Sequence, residues 1–169
     1  MHIEELTRKA SLDFLAGNHF GRLGCAHQSQ PYITPIHFAY QDPWIYSFST
    51  IGRKIEWLRA NPLACIEVDK IVSPQEWTSV VVFGRYEELA KSTDGQAPRE
   101  IPFGRPDEPT KSTDDQSARE LAFKLLQQRQ IWWEPGYART VLDGAPRPLD
   151  PVYFRLSVDE ISGHRATPK

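Results

Sequence analysis

The residues with the most evident chemistry lie in one run, Tyr46-Ser-Phe-Ser-Thr-Ile-Gly-Arg-Lys-Ile-Glu-Trp-Leu-Arg-Ala-Asn-Pro62. Three hydroxyls, Ser47, Ser49 and Thr50, close an aromatic strand, and Arg53 and Lys54 open the helix that follows. The first turn of a helix favours acids, because its unpaired amides carry partial positive charge. Two bases there, beside free amides and hydroxyls, make a seat for an anion such as phosphate. Arg53 would hold it as a fork and Lys54 as a point charge. The alternative is that both bases are simply solvated on a helix surface, and spacing alone does not choose. The helix carries an apolar stripe at Ile51, Ile55 and Leu58, with Trp57 beside it, and Pro62 sets its stop.

His37 is the second candidate. In a strand from Tyr32 to Tyr40, Thr34, Ile36, Phe38 and Tyr40 share one face, and Ile33, Pro35, His37 and Ala39 share the other. Pro35 cannot donate a ladder bond, so this segment is an edge, a bulge or a ligand-facing stretch. On residues alone, His37 reads as a structural or surface histidine. Cys25 and Cys65 lie in separate apolar runs with no CxxC pair and read as buried free thiols. Five scattered histidines with no HExxH motif give no reason to expect a metal. The Gly-rich dinucleotide fingerprint, the Walker phosphate loop and the G-x-S-x-G elbow are all absent.

The elements that must position these groups follow in order. Residues 3–16 are expected to be helical, with Ile3, Leu6, Ala10, Phe14 and Leu15 as the apolar face and Gly17-Asn18 as the end. Strands are expected at 20–26, 32–40, 44–48, 63–68 and 77–89, the last with Thr78, Val80, Val82 and Tyr86 facing the core. Trp77, Ser79, Val81, Phe83 and Arg85 face the other way, so that face also needs cover, for which a partner subunit is one source. Residues 90–114 read as a polar insert. A helix from about 115 to 130 follows, capped by Ser112–Asp114. Trp132 and Trp133 close it, either lining a pocket or packing the helix down. A strand at 152–156 and a short extension at 161–165 complete the chain. No linker separates two cores, so residues 1–169 are expected to form one domain. Strand-rich order without repeated βαβ units predicts a mainly β fold, a small barrel with peripheral helices.

Composition adds bounds. The 40% apolar and 25% charged residues are ordinary globular values. A net charge of -2 gives no reason to expect nucleic acid or an anionic membrane as partner. No apolar run is long enough to span a bilayer, and MHIEELTRKA lacks an apolar signal segment, so the cytoplasm is the expected location.

Several pieces in this order resemble the pyridoxamine 5'-phosphate oxidase-like FMN-binding split-barrel superfamily, closest to its nitroimidazole-resistance, flavin-nucleotide-binding branch. They are Phe20-Gly-Arg-Leu-Gly, Pro31-Tyr-Ile-Thr-Pro-Ile-His-Phe-Ala-Tyr, Ile45-Tyr-Ser-Phe-Ser, Gly52-Arg-Lys, Leu58-Arg-Ala-Asn-Pro and Trp77-Thr-Ser-Val-Val-Val-Phe-Gly-Arg. The resemblance covers residues 4–89. It implies a six-stranded antiparallel split β-barrel, a homodimer, and FMN in clefts at the interface. Ser47, Ser49, Arg53 and Lys54 would clamp the phosphate. Thr34, Pro35, Ile36 and Phe38 would run along the flavin, Trp77 and Ser79 would form a second wall, and His37 becomes an active-site candidate near the ring. Electrons would pass from a nicotinamide donor to a small acceptor, with a nitroaromatic, oxygen or a quinone as candidates. The arginine-rich strand and arginine/histidine tail of true pyridoxamine-phosphate oxidases are missing, which speaks against vitamin B6 oxidation. The rival readings are a non-catalytic flavin-binding or redox-sensing module, a haem-binding relative with His37 on iron, and a plain interaction domain.

Overall fold

The computed structural model describes residues 1–89, 112–128 and 151–169, with the backbone of 141–142 and 145–146. Its elements in chain order are β1 (His2–Glu5), α1 (Arg8–Gly17), β2 (Phe20–His27), β3 (Gln30–Gln41), β4 (Trp44–Ser49) and α2 (Arg53–Ala60). Then come β5 (Leu63–Ser73), β6 (Glu76–Glu88), α3 (Ser112–Gln127), β7 (Val141–Leu142), β8 (Ala145–Pro146), β9 (Val152–Ser157) and β10 (Glu160–Thr167). The expected polar insert, apart from 112–114, and the Trp132–Trp133 pair lie outside the described residues.

The mainly β fold with peripheral helices is as expected, but the six-stranded split barrel is not. Eight strands form one antiparallel sheet in the order β1-β10-β6-β5-β2-β3-β4-β9, with an open edge at β1, and β7 pairs with β8 apart from it. β9 returns to β6 over only three residue pairs, Tyr86–Glu88 against Leu156–Phe154, so the sheet is curled rather than closed along its length. The rest of β6, from Trp77 to Phe83, is paired with β10.

Gly84 stands where β6 changes partner. A Cβ at that position would run into the Ser157 backbone carbonyl, so only glycine lets the end of β9 approach here. The Ser157 hydroxyl accepts from the Arg85 amide at 2.9 Å and fixes the crossing.

The first strand was not expected, and the last is longer than expected. Residues 2–5 pair with β10 instead of starting the first helix. That helix begins at Arg8, and the Thr7 hydroxyl accepts from the Ala10 amide at 3.2 Å as its cap. Ile3 fitted a helical stripe by spacing, yet it is half exposed on an edge strand. β10 runs from 160 to 167, well beyond the expected extension, because it has both β1 and β6 to pair with.

The alternation within the central strands sets the core. Ile36 and Phe38 of β3, Ile66 and Val68 of β5, Val80, Val82 and Tyr86 of β6, and Phe154 and Leu156 of β9 all point inward. Ile55 and Leu58 of α2 join them, so α2 plugs one end of the curled sheet. α3 instead packs outside, with Ala118 and Ala122 against Tyr46 and Leu89. Burying aliphatic side chains of this size contributes roughly 1.5–3 kcal/mol each, which is why α2 cannot easily be displaced.

Candidate functional site

α2 is held rigidly at its far end. Arg59 makes a two-pronged pair with Glu88, 2.7 Å on each prong, and Tyr86 donates to the same carboxylate at 3.0 Å. Arg59 holds the Glu88 carboxyl below the usual carboxylate range. The Asn61 amide nitrogen donates to the Ala26 carbonyl at 2.9 Å, tying the end of α2 to β2.

The near end of α2 is bare. Gly52 precedes the helix in extended backbone and provides no side-chain cap. The first intrahelical bond runs from the Glu56 amide to the Gly52 carbonyl, which leaves the amides of the opening turn directed outward. Arg53 is exposed, and its guanidinium carbon stands 5.8 Å from the Tyr32 ring centroid and 6.0 Å from that of Trp57. Lys54 is half buried, and burial lowers its ammonium below the ordinary lysine value, with the Cys25 thiol opposing that shift. Burial likewise pushes the Cys25 thiol up, while Lys54 draws it down. Among the described residues no carboxylate pairs with either base. A half-buried ammonium without an acid is costly unless something anionic arrives.

The other predicted phosphate ligands are placed differently. Ser47 is fully buried, and its hydroxyl donates to the His37 carbonyl at 2.7 Å. It bonds β4 to β3 and is not turned toward the bases. Ser49 is also buried, at the last position of β4, three residues before Gly52.

Beside the bases lies a cleft of about 460 Å³, lined by Gly24, Cys25, Tyr32, Ile33, Cys65 and Phe83 among others. Cys25 and Tyr32 belong to both cleft and clamp. A Cβ on Gly24 would sit 2.8 Å from Cys65 Sγ, so the glycine keeps the cleft floor clear. Cys25 is a buried free thiol, as expected, whereas Cys65 is half exposed in this cleft.

The register extends this surface across four strands. Ile33, Gly24, Cys65 and Phe83 form one row, and Pro35, Arg22, Glu67 and Val81 form the next. Arg22 pairs with Glu67 at 2.9 Å and with Asp69. Beyond them Trp77 and Ser79 line a second cleft with Arg22, Glu67 and Asp69, and the Ser79 hydroxyl donates to Glu67 at 3.2 Å. From Cys65 to Ile71, the partner of Trp77, is six residues, about 20 Å of extended strand. The cleft and the Trp77 wall therefore lie at opposite ends of one sheet face within a chain.

Of the β3 residues, Thr34 is half exposed and Pro35 exposed, while Ile36 and Phe38 are committed to the core. The last two can offer a ligand only their backbone. His37 is 1% exposed, with its ring 5.8 Å from that of His19 in an edge-on arrangement. A surface histidine is thus excluded, and so is direct contact between this imidazole and solvent. Sequence reasoning passed over Tyr32 as a site residue. It used Trp57 only for the helix stripe, although its spacing of four from Arg53 puts the two on one helix face. Cys25 and Arg22 are brought in by cross-strand register, which spacing does not reveal. Among the described residues no helix is long and apolar enough to cross a membrane, and no group of three potential metal ligands occurs.

The family model described as pyridoxamine 5'-phosphate oxidase matches residues 7–132, and the chain belongs to that family, within the flavin-binding superfamily named for it. An uncharacterized protein of Rhizobium meliloti (strain 1021) is 31% identical over 166 residues, 98% of this chain and 97% of that one. The crystal structure of an FAD-binding protein from Mesorhizobium loti matches with a TM-score of 0.71 and 33% identity, covering 99% of each chain. An FAD- and haem-binding protein from Mycobacterium smegmatis shares the fold, with a TM-score of 0.59 and 17% identity over 98% of this chain and 75% of that one.

The strain on Lys54 has a measurable sign. A folded-state value below the ordinary 10.5 means that the unfolded chain holds this proton more tightly. Stability therefore rises with pH across the interval between the two values. In phosphate-free buffer Lys54→Met is expected to melt above the parent near neutral pH, and the difference should shrink as pH approaches 10.5. Thermal melts at several pH values check this; a variant less stable at every pH contradicts it.

Proposed function

We propose that the chain binds the riboflavin 5'-phosphate portion of a flavin, as FMN or as the FMN half of FAD, and acts as a flavin-dependent oxidoreductase. The observation that carries this reading is the pair Arg53 and Lys54, without a carboxylate partner among the described residues, at an uncapped helix start beside an apolar cleft. A dianionic phosphate would satisfy both bases and the outward amides together. The cleft, about 460 Å³, is within the range of small-molecule sites and offers an apolar seat for a ring. The relative from Mesorhizobium loti, 33% identical, is an FAD-binding protein, which favours FAD as the second form of the reading.

A bound flavin supplies the electron transfer, and the protein supplies placement, field and exclusion of water. Arg53 and Lys54 anchor the phosphate, and the edge of β3 at Thr34 and Pro35 orients the ring. Ile36 and Phe38 stiffen that edge from within. His37 acts by position: its carbonyl anchors Ser47, and its buried imidazole packs behind β3 instead of reaching an acceptor. Electrons come from a nicotinamide donor and pass to a small acceptor, of which a nitroaromatic is one candidate.

The separation of Trp77 from the cleft favours a dimer in which the second wall comes from the other copy. Exposed Ile33, Leu63, Phe83 and Ile71 on the same face supply apolar area for such contact.

Three measurements test these statements. Replacing Arg53 and Lys54 together by alanine should weaken flavin binding to the apoprotein by about 2–4 kcal/mol, from charge-assisted bonds of about 1.5–3 kcal/mol each that do not add fully. Parent-like affinity in a fluorescence titration would remove the clamp. Under anaerobic conditions NADH or NADPH should bleach the flavin absorbance of holoprotein within minutes; absence of bleaching with both would leave a binding module instead of an enzyme. Sedimentation should give twice the 19.4 kDa chain mass, and a monomer would overturn the shared-site arrangement.

A further inference from the structure

Of three aromatic side chains beside the clamp, Trp57 and His27 have no part in the function argued so far, and Tyr32 only borders the cleft. Trp57 lies on the same face of α2 as Arg53, four residues on. Its ring is 5.7 Å from that of Tyr32 at 65° and 5.9 Å from that of His27 at 45°. None of the three stacks flat on another, so no parallel ring partner among them consumes the Trp57 face. All three are half exposed. They meet where β2 turns into β3 through Gln28 and Ser29, both with positive φ, of 49° and 64°. That tight turn sets His27 and Tyr32 on either side of the hairpin end, facing the helix. Arg53 hovers at about 6 Å from both Tyr32 and Trp57, too far for flat stacking at roughly 3.5–4.0 Å. Swinging onto a phosphate would take Arg53 clear of the rings.

A flat, π-faced, electron-poor group joined to a second phosphate fits this setting. We infer that Trp57, Tyr32 and His27 form a subsite for the adenine of a dinucleotide flavin, with Arg53 turned from the rings onto the diphosphate. The inference rests on the proposed flavin site and decides between its two forms in favour of FAD. Base–aromatic stacking tolerates any base, so what selects adenosine here is the tether to the clamp rather than base-edge hydrogen bonding. FMN, which ends at its one phosphate, would leave the three rings bare.

The test compares FMN with FAD on the apoprotein. Fluorescence titration should show the parent binding FAD at least tenfold more tightly than FMN. Trp57→Ala should lose about tenfold in FAD affinity and stay within twofold for FMN, since FMN carries no base to stack on this ring. Trp57→Phe should keep most of the preference for FAD. Parallel losses for FMN and FAD, or no loss for either, overturn the subsite while leaving the flavin reading in place. Should Trp57→Ala not fold, the parent decides alone. ADP should displace bound FAD at about tenfold lower concentration than inorganic pyrophosphate, and equal displacement overturns the subsite. No binding of either flavin by the parent would remove the proposed function and this inference together.

Discussion

The close approach of β9 to β6 at Gly84 governs the rest of the molecule. Because no side chain stands between Gly84 and the Ser157 carbonyl, β6 can give its first part to β10 and its last residues to β9. That exchange curls the sheet. The curl creates an open end that needs an apolar plug, and α2 provides it through Ile55 and Leu58. Glu88, among the last residues of β6, then receives Arg59 from the far end of α2. The orientation of the helix that carries Arg53 and Lys54 is therefore inherited from one glycine some thirty residues later. A bulkier residue there would disturb the clamp without touching it.

The division of labour along α2 follows from its neighbours. Its inward face is spent on packing, its end on the Glu88 pair and on Asn61, and its beginning is left with charge and amides that nothing among the described residues neutralises. Such an arrangement is unfavourable in isolation and makes sense in a protein whose stability includes an anion. The same contrast separates the serines. Ser47 and Ser49 sit two residues apart on the inner side of β4, where a hydroxyl must find a partner within the sheet, and Ser47 finds the His37 carbonyl.

Much of this was legible from the residues. Period-two alternation placed Val80, Val82 and Tyr86 of β6 inward and set Ile36 and Phe38 of β3 on one common face, because a strand buried on one face must alternate. The basic helix was legible because charges at its opening turn run against the helix dipole. What was not legible depends on who pairs with whom. Ile3 has helical spacing from Leu6 and Ala10, yet residues 2–5 join β10, a strand more than 150 residues away that no local pattern announces. The eight-strand count was missed for the same reason. The burial of His37 and the distance between Trp77 and the clamp are products of register. Sequence spacing carries no information on which residue stands opposite which.

β1 shows what an added edge strand does. Without it, β10 would present a row of free amides and carbonyls along eight residues, a template on which another chain's strand could grow. Four residues cover half of that row, and they bring Glu4 and Glu5 to the new edge, with Glu4 within 3.9 Å of Arg165 on β10. Short length and paired carboxylates are poor features for recruiting a further strand. The N-terminal segment thus serves as a guard against edge-to-edge aggregation: the sheet is allowed to stay open because the edge it leaves open is charged and brief.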